Sequence, residues 1–280
     1  MVIWKSALLG LVQGLTEFLP VSSSGHLVLL KYYLNTDLEG GVSFEVVVHA
    51  GTLFATIIIY RRILWDLIRY FFKEAPNRLK SEGFTPVFWG DEKGRLISLL
   101  LLGTIPTLVI GFVFKDLFEN LFGNVLAVTI FIGITGTVLY STGFVPGFLK
   151  GKRRNNIRSA IIIGVVQGLA ITPGISRSGT TISAGMWMGI HRKKAADYSF
   201  LLSIPAITGA FVFNLRDMTQ VGNHHWLPLG VGFVVSFISG YVALKFLLDF
   251  VHRGKFHVFA WYCWGIALLS LAGYILHFPK

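Results

Sequence analysis

The chain has 280 residues, of which 53% are hydrophobic and only 14% charged. Soluble domains carry about 25% charged residues, so this composition excludes a soluble globular fold and requires an integral membrane protein. The single cysteine, Cys263, excludes an internal disulfide and gives no support to a thiolate metal site. Its neighbours Tyr262 and Trp264 predict a packed thiol. The net charge of +11 would suit a nucleic acid, but in a membrane chain basic residues mark cytoplasmic loops, so no nucleic-acid partner is expected.

A helix needs about 20 apolar residues to cross the hydrocarbon. The first apolar runs, Ala7–Leu15 and Gly25–Leu34, are too short. The N-terminus does not read as a cleavable signal, because Gln13, Thr16 and Glu17 interrupt its hydrophobic stretch and no small-residue cleavage site follows. Val46–Tyr60, Leu96–Phe114 and Val125–Tyr140 then qualify as spans or nearly so. Ile157–Leu169 and Thr180–Ile190 are again short, and Tyr198–Phe213, Trp226–Phe250 and Val258–His277 complete the set. The connector Arg61–Arg95, with Pro76, Gly83 and Pro86 among mixed charges, predicts an amphipathic or irregular segment. The basic cluster Lys150-Gly151-Lys152-Arg153-Arg154 reads as a topology anchor that could also touch anionic headgroups.

The short runs flank a repeat. Val12-Gln13-Gly14-Leu15 … Ser22-Ser23-Ser24-Gly25 returns 154 positions later as Val166-Gln167-Gly168-Leu169 … Ser176-Arg177-Ser178-Gly179. The expected architecture is an all-α membrane protein of two inverted-topology repeats. Each is a re-entrant helix–loop–helix hairpin followed by three transmembrane helices, giving six full spans and four half-helices, although full-length distorted helix pairs would also fit. Repeat 1 covers about 1–145 and repeat 2 about 155–280, joined by a basic linker at 146–158, within one membrane domain. On this plan 18 of the 25 Lys and Arg fall on one side and five on the other, which places both termini outside the cytoplasm.

The polar islands carry the chemistry. Gln13 and Glu17 are four apart and share a helix face. A carboxylate at membrane depth is costly and marks a functional site, or else a structural Glu that snorkels or pairs with Arg177. Ser22, Ser23, Ser24, Gly25 and His26 open the next half-helix, whose N-terminus suits a phosphate and whose His26 could exchange a proton with a serine hydroxyl. The second copy has no carboxylate. It offers Ser176, Arg177, Ser178, Gly179, Thr180 and Thr181, with an arginine fork matched to phosphate oxygens. Glu17 aligns with Ile171, Ser23 with Arg177 and His26 with Thr180. One copy thus reads as the reactive loop and the other as a phosphate clamp, a pairing suited to hydrolysing or transferring a phosphoryl group within reach of lipid. Elsewhere, His49 and Thr52 would either line the site entrance or pack between helices. His224-His225 reads as a solvated loop pair and Lys245 with Asp249 as a snorkelling ion pair.

These stretches resemble the undecaprenyl-diphosphate phosphatase family, also called the bacitracin-resistance family. The likeness is carried by Gln13–His26 (E/Q-G-x-T-E-F-L-P-V-S-S-S/T-G-H) and Pro173–Thr180 (P-G-x-S-R-S-G), and by Phe44–Leu53, Gly103–Pro106 and Phe200–Ala206 in order. The resemblance implies removal of the terminal phosphate of undecaprenyl diphosphate on the outer face of the bacterial inner membrane. That reaction recycles the lipid carrier for peptidoglycan synthesis and confers bacitracin resistance. It also places the family's acidic motif on Gln13 and Glu17, its serine–histidine motif on Ser22, Ser23, Ser24 and His26, and its arginine on Arg177. A divalent cation, Mg²⁺ or Ca²⁺, would be held by Glu17, the Gln13 amide oxygen and the substrate's phosphates; with Gln13 in place of glutamate only one carboxylate is left to it. Ser23 is the expected nucleophile, with His26 as nucleophile or direct attack by water as variants. Partners are the lipid diphosphate and membrane lipids, and a homodimer is compatible with the sequence. The competing reading is a polyprenyl-phosphate flippase or carrier, since broken helices in duplicated halves are a transporter device; a channel would leave the Glu–Ser–His–Arg set unexplained.

Overall fold

The computed structural model describes residues 2–33, 41–145, 151, 153–218 and 226–277. Lys150, Lys152, His224 and His225 lie outside them, so the expectations for the histidine pair and for part of the basic cluster have no structural counterpart here. Within the described residues the fold is all-helical, with no strand beyond one isolated bridge between Arg153 and Ile190. Six helical stretches are long and apolar enough to cross a membrane: Phe44–Glu82, Glu92–Val113, Val125–Phe144, Arg192–Val212, Trp226–His252 and Phe256–Leu276. Each matches one of the six spans expected from hydropathy, three of which were expected to end one residue later.

In chain order the α-helices are α1 (Ile3–Phe18), α2 (Ser23–Tyr33), α3 (Gly41–Arg69), α4 (Ala75–Glu82), α5 (Glu92–Val113), α6 (Lys115–Phe122) and α7 (Val125–Ser141). After the linker come α8 (Ile157–Leu169), α9 (Arg177–Trp187), α10 (Arg192–Met218), α11 (Trp226–His252) and α12 (Phe259–His277). The duplication seen in the letters is also present in the backbone. α1 and α8 begin at equivalent positions, and α2 and α9 are both 11 residues long and start and stop at equivalent positions. Packing crosses between the halves: α1 lies against α11, and its counterpart α8 lies against α5.

Those crossings depend on small residues. A Cβ at Gly10 would stand 2.6 Å from the Gly232 carbonyl oxygen of α11, and one at Gly14 would strike Ser239 Oγ. On the other side a Cβ at Gly164 would strike the Gly103 carbonyl oxygen. Where apolar side chains gain nothing by leaving lipid, close backbone approach is what holds helices together. The same crossing carries a polar tie: Thr107 Oγ1 donates to the Gly164 carbonyl at 2.9 Å, and Gln167 Nε2 donates to Thr107 Oγ1 at 3.2 Å. Further in, Phe18, Ile132, Phe200 and Leu244 are fully buried in a core shared by α1, α7, α10 and α11.

Two expectations are corrected. Of the amphipathic and irregular readings of the connector Arg61–Arg95, the irregular one fails, because the segment is mostly helical. α3 runs to Arg69, a π-turn at Tyr70–Glu74 leads into α4, and a second π-turn at Pro86–Gly90 precedes α5. Its breakers fall where helices tolerate them: Pro76 sits in the first turn of α4, and Gly83, at φ 80°, ends it. Tyr70, Ala75 and Val87 form a small core of their own, and Arg78 joins Glu82 (2.8 Å) to Asp91 (2.9 Å), the residue that caps α5. The second correction concerns Lys245 and Asp249. Asp249 pairs with Arg253 at 2.8 Å and Lys245 lies over the Tyr241 ring at 4.4 Å, because both charges reach for partners one turn along the helix in opposite directions.

Gly14→Val is expected to destabilise the α1–α11 crossing by about 1–3 kcal/mol, the cost of overpacking. Cys263 is the only thiol and is fully buried, so a thiol-reactive dye in a detergent melt reads unfolding directly; an unchanged midpoint would contradict the close-packing account.

Candidate functional site

The site forms where the turn after α1 meets the turn after α8. The contact is made at glycines. A Cβ at Gly25 would lie 3.1 Å from Gly174 Cα, and one at Gly179 would lie 3.3 Å from Pro20 Cβ. Ser178 Oγ donates to the Phe18 carbonyl at 3.0 Å, closing the end of α1 with a residue from the other copy. Thr135 of α7 donates to the Gly174 carbonyl (2.9 Å) and accepts from Ser176 N–H (3.0 Å), which fixes the second turn from beneath.

The two turns reverse the chain differently. The first uses Ser22, at φ 71° the only non-glycine residue with positive φ among the described residues; the second uses Gly174, at φ 96°. In both the serine then caps the following helix: Ser22 Oγ accepts from Gly25 N–H (3.3 Å) and Ser176 Oγ from Gly179 N–H (3.1 Å). The first N–H groups of α2 and α9, on Ser23, Ser24, Arg177 and Ser178, have no intrahelical acceptor and carry the positive end of each helix dipole.

Glu17 is the centre of the arrangement. Its side chain is 7% exposed, and both oxygens are taken. Arg177 Nη2 donates to Oε1 at 2.5 Å, while Gln13 Nε2 (2.9 Å) and Ser23 Oγ (2.7 Å) donate to Oε2. His49 Nε2 stands 3.6 Å from Oε2, and its Nδ1–H donates to the Glu45 carbonyl. The four-residue spacing of Gln13 and Glu17 places both on one face of α1, as expected. The structural pairing of Glu17 with Arg177 is also formed, and it bridges 160 residues of chain. Arg177 itself is only 15% exposed, and its Nη1 is buried without a partner. Gln13 Oε1 is likewise buried and unpaired.

His26 is not brought to Ser23 or Glu17. Its Nδ1–H donates to the Ser22 carbonyl (2.7 Å), and its Nε2 accepts from the Tyr262 hydroxyl (2.9 Å), with the rings stacked 5.7 Å apart. The sequence marks Tyr262 only as a neighbour of Cys263, and nothing there sets it apart as a site residue from the other aromatics of α12. Several hydroxyls expected near the ligand are committed elsewhere. Thr180 donates to the Ser176 carbonyl, Thr181 donates to the Arg177 carbonyl and shares a hydrogen bond with Ser199, and Ser24 stands 3.4 Å from Ser22 Oγ. Thr52 is buried and donates to the His49 carbonyl, so of that pair only the histidine reaches the site. Cys263 is the packed thiol expected of it, its S–H directed to the Pro20 carbonyl at 3.6 Å. At the rim Lys31 pairs with Glu45 at 2.8 Å. No group of three or more His, Cys, Asp or Glu suited to a metal ion occurs among the described residues.

The fold and this cluster define a polytopic helical membrane protein whose two sequence copies meet over one buried carboxylate, one arginine and a serine. The chain belongs to the family described as bacitracin resistance protein BacA, whose profile matches residues 6–269. Similar proteins named undecaprenyl-diphosphatase include one from Halothermothrix orenii, 42% identical over 98% of this chain and 99% of its own length. Another, from Desulforapulum autotrophicum, is 40% identical over 98% of this chain and the whole of the relative. A third, from Korarchaeum cryptofilum, is 41% identical over 97% of this chain and likewise the whole of the relative.

Removing one partner of a buried ion pair strands the other, at about 3–5 kcal/mol. Glu17→Gln and Arg177→Gln should therefore each lower the melting midpoint, and the double variant should lose clearly less than the two together. Additivity within about 0.5 kcal/mol would mean that the two side chains are not coupled.

Proposed function

We propose that the chain is an undecaprenyl-diphosphatase of the bacterial inner membrane, and that Ser23, Glu17 and Arg177 carry the reaction. The observation behind this is that one carboxylate, Glu17, holds the serine hydroxyl of the first copy on one oxygen and the arginine of the second on the other. The terminal phosphate binds between Arg177, whose buried Nη1 lacks an acceptor, and the free N–H groups that open α2 and α9. Ser23 Oγ attacks the terminal phosphorus and passes its proton to Glu17. The bond from that phosphorus to the bridging oxygen breaks, and undecaprenyl phosphate leaves. Water then attacks the phosphoserine, the proton on Glu17 returns to the Ser23 oxygen, and hydrogen phosphate departs while the second water proton is released. Phosphoryl transfer depends on positioning and charge neutralisation rather than on covalent chemistry by the protein. His26, with both ring nitrogens engaged, holds the Ser22 carbonyl and so the turn that aims Ser23.

Mg²⁺ or Ca²⁺ fits this site as a thinly held ion. The buried, unpaired Gln13 Oε1 beside Glu17 is free to ligate a cation, and phosphate oxygens of the substrate would supply further ligands. When bound, the ion would offset the charge of the diphosphate. If Gln13 is a ligand, Gln13→Ala should raise the cation concentration for half-maximal activity about tenfold and Gln13→Glu should lower it; identical titrations for all three proteins would remove Gln13 from the metal site.

The finer architecture belongs to the same proposal. The equivalent limits of α2 and α9, the crossed packing of α1 and α8, and the uneven Lys and Arg distribution support two inverted repeats, over about 1–145 and 155–280, each opening on a re-entrant hairpin. Both termini then lie outside the cytoplasm, and the resemblance to the family supports a site that faces outward. There, recycling of the lipid carrier serves peptidoglycan synthesis and depletes the lipid diphosphate that bacitracin binds. The flippase reading has no observation in its favour, and the relatives are named for hydrolysis.

The test is phosphate release from undecaprenyl or farnesyl diphosphate by purified protein in detergent, with ³²P trapping. Release should fall about a thousandfold in Arg177→Ala and Glu17→Ala, and label should be trapped in the wild type and in His26→Ala but not in Ser23→Ala. Label persisting in Ser23→Ala would move the nucleophile to His26, and no label under any quench would favour direct attack by water. No release by intact protein would sink the enzyme reading.

A further inference from the structure

A second concentration of positive charge lies far from the candidate site, at the opposite end of α8. That helix is 13 residues long, so its N-terminus stands about 20 Å from the turn that carries Arg177. There a cavity of about 310 Å³ is lined by Arg153, Arg154 and Arg158, with Ile162, Trp187 and Ile190 among its apolar walls. An adjoining cavity of the same volume shares Arg158 and Asn156 and adds Arg95 and Trp89.

The arrangement is built rather than incidental. Arg153 N–H donates to the Gly189 carbonyl at 3.1 Å, tying the linker to the end of α9. Asn156 closes a capping box with Ser159, so the start of α8 is well ordered and its dipole faces the arginines. Arg95 Nη2 donates to the Asn155 carbonyl at 2.8 Å, which brings α5 to the same place. Many other cations of the connectors have carboxylate partners: Arg69 and Lys93 share Glu74, Arg78 holds Glu82 and Asp91, and Arg253 holds Asp249. Arg153, Arg154 and Arg158 pair with no carboxylate among the described residues. Three guanidiniums around one concavity repel each other, and an anion between them removes that cost.

We infer that this cavity binds the phosphate headgroup of an anionic membrane lipid. The walls favour a lipid over a free anion. Ile157, Ile161 and Ile162 leave the outer face of α8 apolar and exposed, and Trp187, 41% exposed with its indole N–H on Ser141, has the amphipathic placement of an interfacial aromatic. Basic pockets between transmembrane helices take phosphate headgroups for these reasons, with the acyl chains running along the neighbouring apolar helix. A topology signal needs charge alone. It does not need three unpaired arginines converging on one cavity with an apolar wall.

The test compares the wild type with Arg153→Gln/Arg154→Gln/Arg158→Gln and with a control of equal charge loss, Arg61→Gln/Arg62→Gln/Lys80→Gln. Each full-length protein is purified in detergent, offered phosphatidylglycerol or phosphatidylcholine, and weighed intact by native mass spectrometry. The wild type and the control should retain phosphatidylglycerol at least tenfold better than phosphatidylcholine, and the cavity variant should lose that preference. The cavity variant should also keep its diphosphate hydrolysis within about twofold and its melting midpoint, which separates lost binding from lost folding. Equal loss in the control would reduce the effect to surface charge, and no preference in the wild type would overturn the site. Displacement of the lipid by millimolar inorganic phosphate would reassign the cavity to a free anion.

Discussion

The structure turns on a charge that has no business inside a membrane. Glu17 lies in the last turn of a 16-residue helix, and its buried carboxylate is tolerable there only because Arg177 arrives from the other copy to meet it. Much else can be read as the means of keeping that meeting in place. Glycines let the two turns touch, Ser178 seals the open end of α1, and Thr135 supports the second turn from below. The close crossings of α1 on α11 and of α8 on α5 bind each copy to the other half, so neither turn can withdraw independently.

Polar satisfaction around the pair is uneven in an informative way. Glu17 accepts from three donors, yet Arg177 Nη1 and Gln13 Oε1 are left buried and unpaired beside it. Buried groups without partners are rare in finished folds, because each forfeits the hydrogen bonds that water would give. Here one is a donor and the other an acceptor, both at the point where the two copies converge. A ligand with anionic oxygens and an associated cation would satisfy both.

Much of this was legible in the sequence. Hydropathy located all six spans, and the repeat located both turns and the charges within them, because membrane burial makes each polar residue an exception that has to be accounted for. The spacing of Gln13 and Glu17 gave their common face. What the letters could not supply was direction. His26 stands three residues from Ser23 and reads as its partner, but helix geometry turns the ring outward to Tyr262, 236 residues away. His49 looked equally suited to packing, and only the approach of α3 to α1 brings it near Glu17. The amphipathic and irregular readings of the connector could not be separated for a related reason. Proline and glycine read as breakers, whereas their positions at the start and end of α4 make them helix punctuation.

The first turn holds one more lesson. Its reversal is made by Ser22 at φ 71°, a backbone conformation in which a side chain costs about 1–3 kcal/mol, whereas the second turn puts its positive φ on Gly174 and leaves the matching serine, Ser176, at φ −75°. A relaxed serine cap therefore exists within the same molecule, and the first turn departs from it where the residue after the cap is Ser23, whose hydroxyl meets Glu17. Any programme to harden this protein against heat would find glycine at position 22 attractive. It would then meet the trade between durability and aim at the point where the chain has settled it in favour of aim.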